Sequence, residues 1–187
     1  MSRKSQEVFR YKYHKNYDVQ AIKNEVLKFE EEWFKDTSRQ DFFDVHKETT
    51  TVFLTDASPT WEPYEPYAGS IREPESLLYR LVEPIIKDLE QLYNGKVGKA
   101  ILTKLKAGKK INGHTDRGNY LDISRRNHIP ITTNNKVFFA IGEGLLNMYE
   151  GECWEINNMQ YHEVINDSEE DRIHLIIDII PNEYIGK

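Results

Sequence analysis

The sequence predicts an α+β chain, with helices near the N-terminus packed on one outer face of a two-sheet β core. Three observations carry that expectation. Apolar residues recur at steps of three and four in two segments before residue 95. Beyond it the pattern changes to short β-rich runs, punctuated by Gly108, Gly113, Gly142, Gly144, Gly151, Asn134-Asn135 and Asn157-Asn158. Many short strands with evenly spaced turns favour a double-sheet jelly roll or barrel, and helices gathered at one end of the chain layer onto it.

The first helix is read from Val19, Ile22, Val26, Phe29 and Trp33, with Asp18 as its N-cap. A second opens at Glu73-Pro74, where proline is tolerated in the first turn. It places Leu77, Leu78, Leu81, Ile85, Leu89 and Leu92 on one side, and Pro84 is expected to kink it. Thr49 to Leu54 is a plain β run between the two helices. The later strands are expected at Val97 to Leu105, Arg125 to Ile131, Lys136 to Ile141, Leu145 to Tyr149, Cys153 to Asn157, His162 to Asn166 and Arg172 to Ile180. At 187 residues the chain is most simply one domain, 1–187, with helical support over about 1–95 and a β core over about 96–182. Prolines 59, 63 and 66 deny helix to the segment from Ser58 to Tyr67, whose Trp61, Tyr64 and Tyr67 make it a candidate substrate flap.

Composition narrows the function classes. A content of 39% apolar and 12% aromatic residues is that of a folded chain. The net charge of −6 arises from interspersed acids and bases, so no basic stripe suggests nucleic acid and no polybasic tail suggests a membrane surface. The single cysteine, Cys153, cannot close an internal disulfide, and no run reaches spanning length. A charged N-terminus with no signal-like apolar run leads to the expectation of a cytoplasmic protein.

The chemistry is concentrated in His114-Thr115-Asp116, His162 and Arg172. Two imidazoles and a carboxylate make a facial triad, which covers one side of a ferrous ion and leaves the other open to a co-substrate and oxygen. His46-Lys47-Glu48 is a rival triplet, but it lacks an equally placed partner and is read as a strand-edge polar pair. In the last strand, period two puts Arg172, His174, Ile176 and Asp178 on one face and Ile173, Leu175, Ile177 and Ile179 on the other. An arginine inside the core requires an anionic partner, and a bound dicarboxylate such as 2-oxoglutarate would supply one. Arg126 and His128, also two apart on a strand, are candidate donors near that co-substrate. The alternative is a cupin-type metal enzyme, an isomerase or hydrolase that makes no use of 2-oxoglutarate. A non-catalytic module would not require the three ligands together.

These phrases resemble the aspartyl/asparaginyl β-hydroxylase family. The likeness runs through His114-Thr115-Asp116, Arg126-Asn127-His128-Ile129-Pro130-Ile131, Gly151-Glu152-Cys153-Trp154-Glu155-Ile156, His162-Glu163-Val164-Ile165-Asn166 and Arg172-Ile173-His174-Leu175, over about residues 97 to 180. The resemblance implies a cupin-like double-stranded β-helix and Fe(II)- and 2-oxoglutarate-dependent hydroxylation by O2 of an amino acid, free or within a peptide or protein. It implies iron ligation by His114, Asp116 and His162, a grip by Arg172 on the distal carboxylate of 2-oxoglutarate, and Arg126 and His128 close to the co-substrate. The vertebrate members that name the family lack the acidic ligand. With Asp116, this chain is more similar to the bacterial branch that acts on free amino acids such as proline.

Overall fold

The structure, a computed structural model, describes residues 9–29, 33, 35–56 and 70–185. Two antiparallel sheets face each other. The larger has the order β1 (Tyr11–Asn16), β9 (Glu152–Ile156), β6 (Arg125–Thr132), β11 (Arg172–Pro181), β4 (Gly95–Leu105), β2 (Thr49–Asp56) and β3 (Ser70–Ile71). The smaller runs β5 (Lys110–His114), β10 (His162–Asn166), β7 (Val137–Ile141) and β8 (Gly144–Leu146). This is the jelly roll expected from the turn spacing. The chain before residue 95 supplies β1, β2 and β3 to the large sheet as well as helices.

Strand β11 lies between β6 and β4 and is buried along its whole length. Its alternation works as the sequence implies. Ile173, Leu175, Ile177 and Ile179 enter an apolar core with Ile129 and Ile131 of β6, Leu102 of β4 and the apolar faces of two helices. Those helices are α1 (Gln20–Val26) and α3 (Leu77–Tyr93). A second, smaller core fills the space between the sheets with Leu105, Ile111, Phe139, Ile141, Met148, Ile156 and Val164. No helix among the described residues is long and apolar enough to cross a membrane.

Both helices depart in detail from the sequence reading. Val19 flanks α1, and Asp18 sits one residue farther out, where its carboxylate accepts the Gln20 N–H at 3.0 Å. The helix ends at Val26, although the apolar stripe continues and Trp33 is buried at 2% exposure. Helix α3 starts later than Glu73-Pro74, because the Ser76 side chain accepts the Tyr79 N–H and caps it. Its buried face is Leu78, Val82, Ile85, Ile86 and Leu89, while Leu77 and Leu92 are turned to solvent. The helix continues through Pro84 to Asn94, whose left-handed backbone (φ 45°) ends it. The flap candidate at residues 58–67 lies outside the described residues.

Candidate active site

His114 is the last residue of β5 and His162 the first of β10, and antiparallel pairing sets them directly opposite each other. The register shifts between His162 and Val164, a bulge that brings the two rings to 4.4 Å between centroids. Gly113 makes room beside them: a Cβ there would collide with the Tyr161 ring, whose hydroxyl oxygen would be 1.9 Å away. Asp116 follows in the loop, held by its N–H to the Asn158 carbonyl at 2.9 Å. Its carboxylate oxygens stand 3.5 Å from His114 Nε2 and 4.0 Å from His162 Nε2. All three potential ligand atoms lie within 4.8 Å of one another, the spacing of donors around one ion.

The tautomers suit a metal. His114 Nδ1 donates to the Asn112 carbonyl at 2.8 Å, and His162 Nδ1 to the Gln160 carbonyl at 2.9 Å. A carbonyl can only accept, so each Nδ1 carries a proton, and Nε2 is the nitrogen left to bind a metal in the neutral ring. Burial lowers the His162 pKa and keeps that ring neutral. Burial also lowers His114, but the hydrogen bond and charge of Asp116 outweigh it, and its pKa is raised. Asp116 is buried too, yet the Arg126 guanidinium and the two imidazoles hold its pKa well below the carboxylate range. Phe139 stacks on the His162 ring at 5.6 Å with the planes 9° apart, fixing its plane from the apolar side.

The triad opens into a narrow cleft between the two sheets. The small sheet contributes Ile111, His114, Phe139, His162 and Val164, and the large sheet Thr103, Arg126, His128, Arg172 and Ile176. All six sequence-predicted site residues line this one cleft. Arg172 is 2% exposed and makes no ion pair among the described residues. Its Nη2 donates to His174 Nδ1 at 2.7 Å, while its Nε has no partner. Burial alone pulls its pKa down to about 9. A cation in that state is stabilised by an anionic partner.

Arg126 lines the cleft beside the triad, and its guanidinium is already paired there. Its Nε and Nη2 fork onto the Asp178 carboxylate at 2.9 and 2.8 Å, and its Nη1 hydrogen-bonds Asp116. It is therefore clamped between two carboxylates and orients a triad residue. The pairing follows from the register, in which Asp178 of β11 stands opposite Arg126 of β6. His128 is buried in the cleft wall, 5.9 Å from the His174 ring, with its Nδ1 unpartnered.

Three further residues escaped the sequence reading. Asp178 was placed on the inward face without its partner. Thr103, opposite His174 in β4, has a buried hydroxyl with no partner, and its only signal was a polar residue in an apolar run. Arg39 comes from α2 (Ser38–Phe42), a segment without periodic pattern, and no sequence signal links it to the cleft.

The family model for aspartyl/asparaginyl beta-hydroxylase matches residues 16–181. The chain belongs to that family. As a member it is a 2-oxoglutarate-dependent hydroxylase, and its His-Asp-His triad fits iron. Solved structures share its fold at low identity. A viral collagen prolyl hydroxylase from Paramecium bursaria Chlorella virus-1 aligns with TM-score 0.60 at 6% identity, over 93% of this chain and 97% of that one. A 2OG-Fe(II) oxygenase family oxidoreductase from Burkholderia pseudomallei aligns with TM-score 0.55 at 10% identity, over 72% and 69%. A Pseudomonas putida prolyl-4-hydroxylase aligns with TM-score 0.54 at 9% identity, over 94% of each chain. No curated protein matches this family member in sequence.

Proposed function

We propose that this single domain hydroxylates an unactivated carbon of an amino acid, free or within a peptide or protein, using Fe(II), 2-oxoglutarate and O2. The observation that carries the reading is Arg172: a buried guanidinium with an open hydrogen-bonding edge and no carboxylate, in the cleft that holds the triad. His114, Asp116 and His162 would hold the iron through two Nε2 atoms and one carboxylate, leaving its remaining positions free. Arg172 would fork onto the distal carboxylate of 2-oxoglutarate, with the Thr103 hydroxyl as a second donor in reach of the same cleft. When bound, the iron and 2-oxoglutarate supply the oxidation, in which the co-substrate leaves as succinate and carbon dioxide and one oxygen atom enters a C–H bond.

The chain's own residues do the rest. Arg126 fixes the Asp116 carboxylate by charge and hydrogen bond. The backbone carbonyls of Asn112 and Gln160 hold the imidazoles in the ligating tautomer. Ile111, Phe139, Val164 and Ile176 line the cleft with apolar surface that excludes water from the reacting carbon. A reducing, cytoplasmic-type compartment suits both ferrous iron and the free thiol of Cys153.

The test is mass spectrometry of amino acids and peptides for a gain of one oxygen atom, with succinate release as the measure of coupled turnover. His114→Ala and Arg172→Ala are expected to abolish both signals. Full turnover in either variant would falsify the assignment.

A further inference from the structure

The cleft contains an arginine–histidine pair outside the triad, Arg39 and His46. Helix α2 is tied to β2 by Gln40, whose side-chain amide donates to the Thr49 carbonyl at 2.8 Å. This anchor brings Arg39 and His46 to the wall of the cleft beside the triad. Arg39 Nη1 donates to the Thr51 hydroxyl at 3.3 Å and its Nη2 to His46 Nε2 at 2.9 Å. A guanidinium can only donate, so His46 carries its proton on Nδ1. That Nδ1 is buried and has no partner among the described residues. The His46 ring packs edge-on against His114, 5.9 Å between centroids.

The arrangement repeats that of Arg172 and His174. In both pairs an arginine donates to a neutral imidazole, the imidazole is left with an unpartnered N–H, and no carboxylate forms an ion pair with the arginine among the described residues. Burial pulls the Arg39 pKa down to about 10. Charge counting separates the two. With iron and 2-oxoglutarate bound, Asp178 and Asp116 would offset Arg126 and one charge of a ferrous ion, and the two carboxylates of 2-oxoglutarate would answer Arg172 and the second. Among these groups one positive charge would remain, that of Arg39.

We propose that Arg39 and His46 form the seat for a carboxylate of the substrate, held beside the metal triad. The proposal rests on the hydroxylase reading above and narrows it to substrates that carry a carboxylate. That group is either the α-carboxylate of a free amino acid or the side chain of Asp or Glu in a peptide. Arg39 would take the carboxylate on its free edge and the His46 N–H would add a donor, so the pair orients the substrate and leaves the oxidation to the metal.

The experiment is thermal unfolding of the Mn(II) protein saturated with 2-oxoglutarate, a state that binds substrate without turnover. Three probe sets are added: L-amino acids, the same amino acids as C-terminal amides, and end-blocked peptides with internal Asp or Glu. At least one carboxylate probe is expected to raise the melting temperature further, and its amide is not. Arg39→Gln is expected to keep the 2-oxoglutarate shift and to weaken that probe by about tenfold or more, with Arg39→Lys in between. Success of the free acids names the α-carboxylate as the source, and success of the blocked peptides names the side chain. Equal shifts from acid and amide, no shift from any probe, or an unweakened Arg39→Gln each overturn the proposal while leaving the hydroxylase reading intact. If Arg39→Gln does not fold, the acid-against-amide contrast on the wild type still decides. Absence of a 2-oxoglutarate shift in the wild type overturns the hydroxylase reading, and this inference with it.

Discussion

Arg172 stands in the ligand-free fold as a buried charge without a counter-charge, so replacing it separates stability from function. Replacing a buried ion pair by apolar side chains of similar volume is often neutral or stabilising by about 1–4 kcal/mol, and a buried ion without a counter-charge has still less to lose. Arg172→Met is therefore expected to unfold in urea no more than about 1 kcal/mol below wild type, while losing the response to 2-oxoglutarate altogether. A large loss of ligand-free stability would mean that the guanidinium is structural. Cys153 gives a second residue-scale prediction. Burial pushes its thiol up to about 12 from 9.0. The folded state keeps that proton to higher pH than the unfolded chain, so this stabilisation is complete below pH 9 and declines as pH rises above it. A thiol reagent at pH 8 should label Cys153 only after denaturation, and wild type should lose stability more steeply than Cys153→Ala between pH 9 and 10. At this scale His114, Asp116, His162 and Arg172 were picked out by residue type and by their order along the strand phrases, and the structure lines one cleft with all four. Arg126 was read as a candidate donor near the co-substrate, and its clamp was not seen, because Asp178 lies 52 residues away and meets it only through strand register. Arg39 was illegible for the same reason, in a five-residue helix with no periodic face of its own.

Among the elements, the turn that enters β9 is the most exacting. Gly151 has φ +80°, and a Cβ there would lie 2.3 Å from the Tyr17 carbonyl oxygen, backbone that cannot move aside cheaply. Its own carbonyl accepts the Tyr17 N–H at 2.9 Å, joining β1 to the sheet. Gly151→Ala should cost about 2–4 kcal/mol, measured by urea unfolding, because backbone strain and a steric clash add. Gly108→Ala, at φ +65° in open space, should cost only about 1 kcal/mol. Equal losses in the two variants would contradict the role of the Tyr17 contact. Strand β10 was readable to the residue and β11 nearly so, since alternation and β-branched composition agree there. The end of α1 was not, because its apolar stripe carries on past the point where the helix stops. Strands β1 and β2 illustrate the other limit. Their membership in the large sheet depends on partners more than 40 residues away, β9 and β4, and no local pattern encodes that.

For the whole molecule, the decisive property is linkage between ligand and fold. A ligand bound only by the native state at about a hundred times its Kd adds about 2.7 kcal/mol. With Mn(II), 2-oxoglutarate is expected to raise the melting temperature of wild type, and of Arg172→Ala by far less. A cupin-type metal enzyme without use for 2-oxoglutarate would respond to the metal alone. The jelly roll itself was legible because two-sheet folds advertise themselves through frequent short strands and turns. The cleft between the sheets was not, since it exists only once both sheets close on each other. One detail of that cleft reaches further. Each imidazole of the triad is braced at Nδ1 by the main-chain oxygen two positions before it, on its own stretch of chain, so its tautomer is set without a neighbouring side chain. Wall positions that touch neither Asp116 nor the two rings can then drift in sequence, or be redesigned for a new target, without disturbing those tautomers. Retargeting by substitution at Arg39 or Thr103 should start from an intact metal centre.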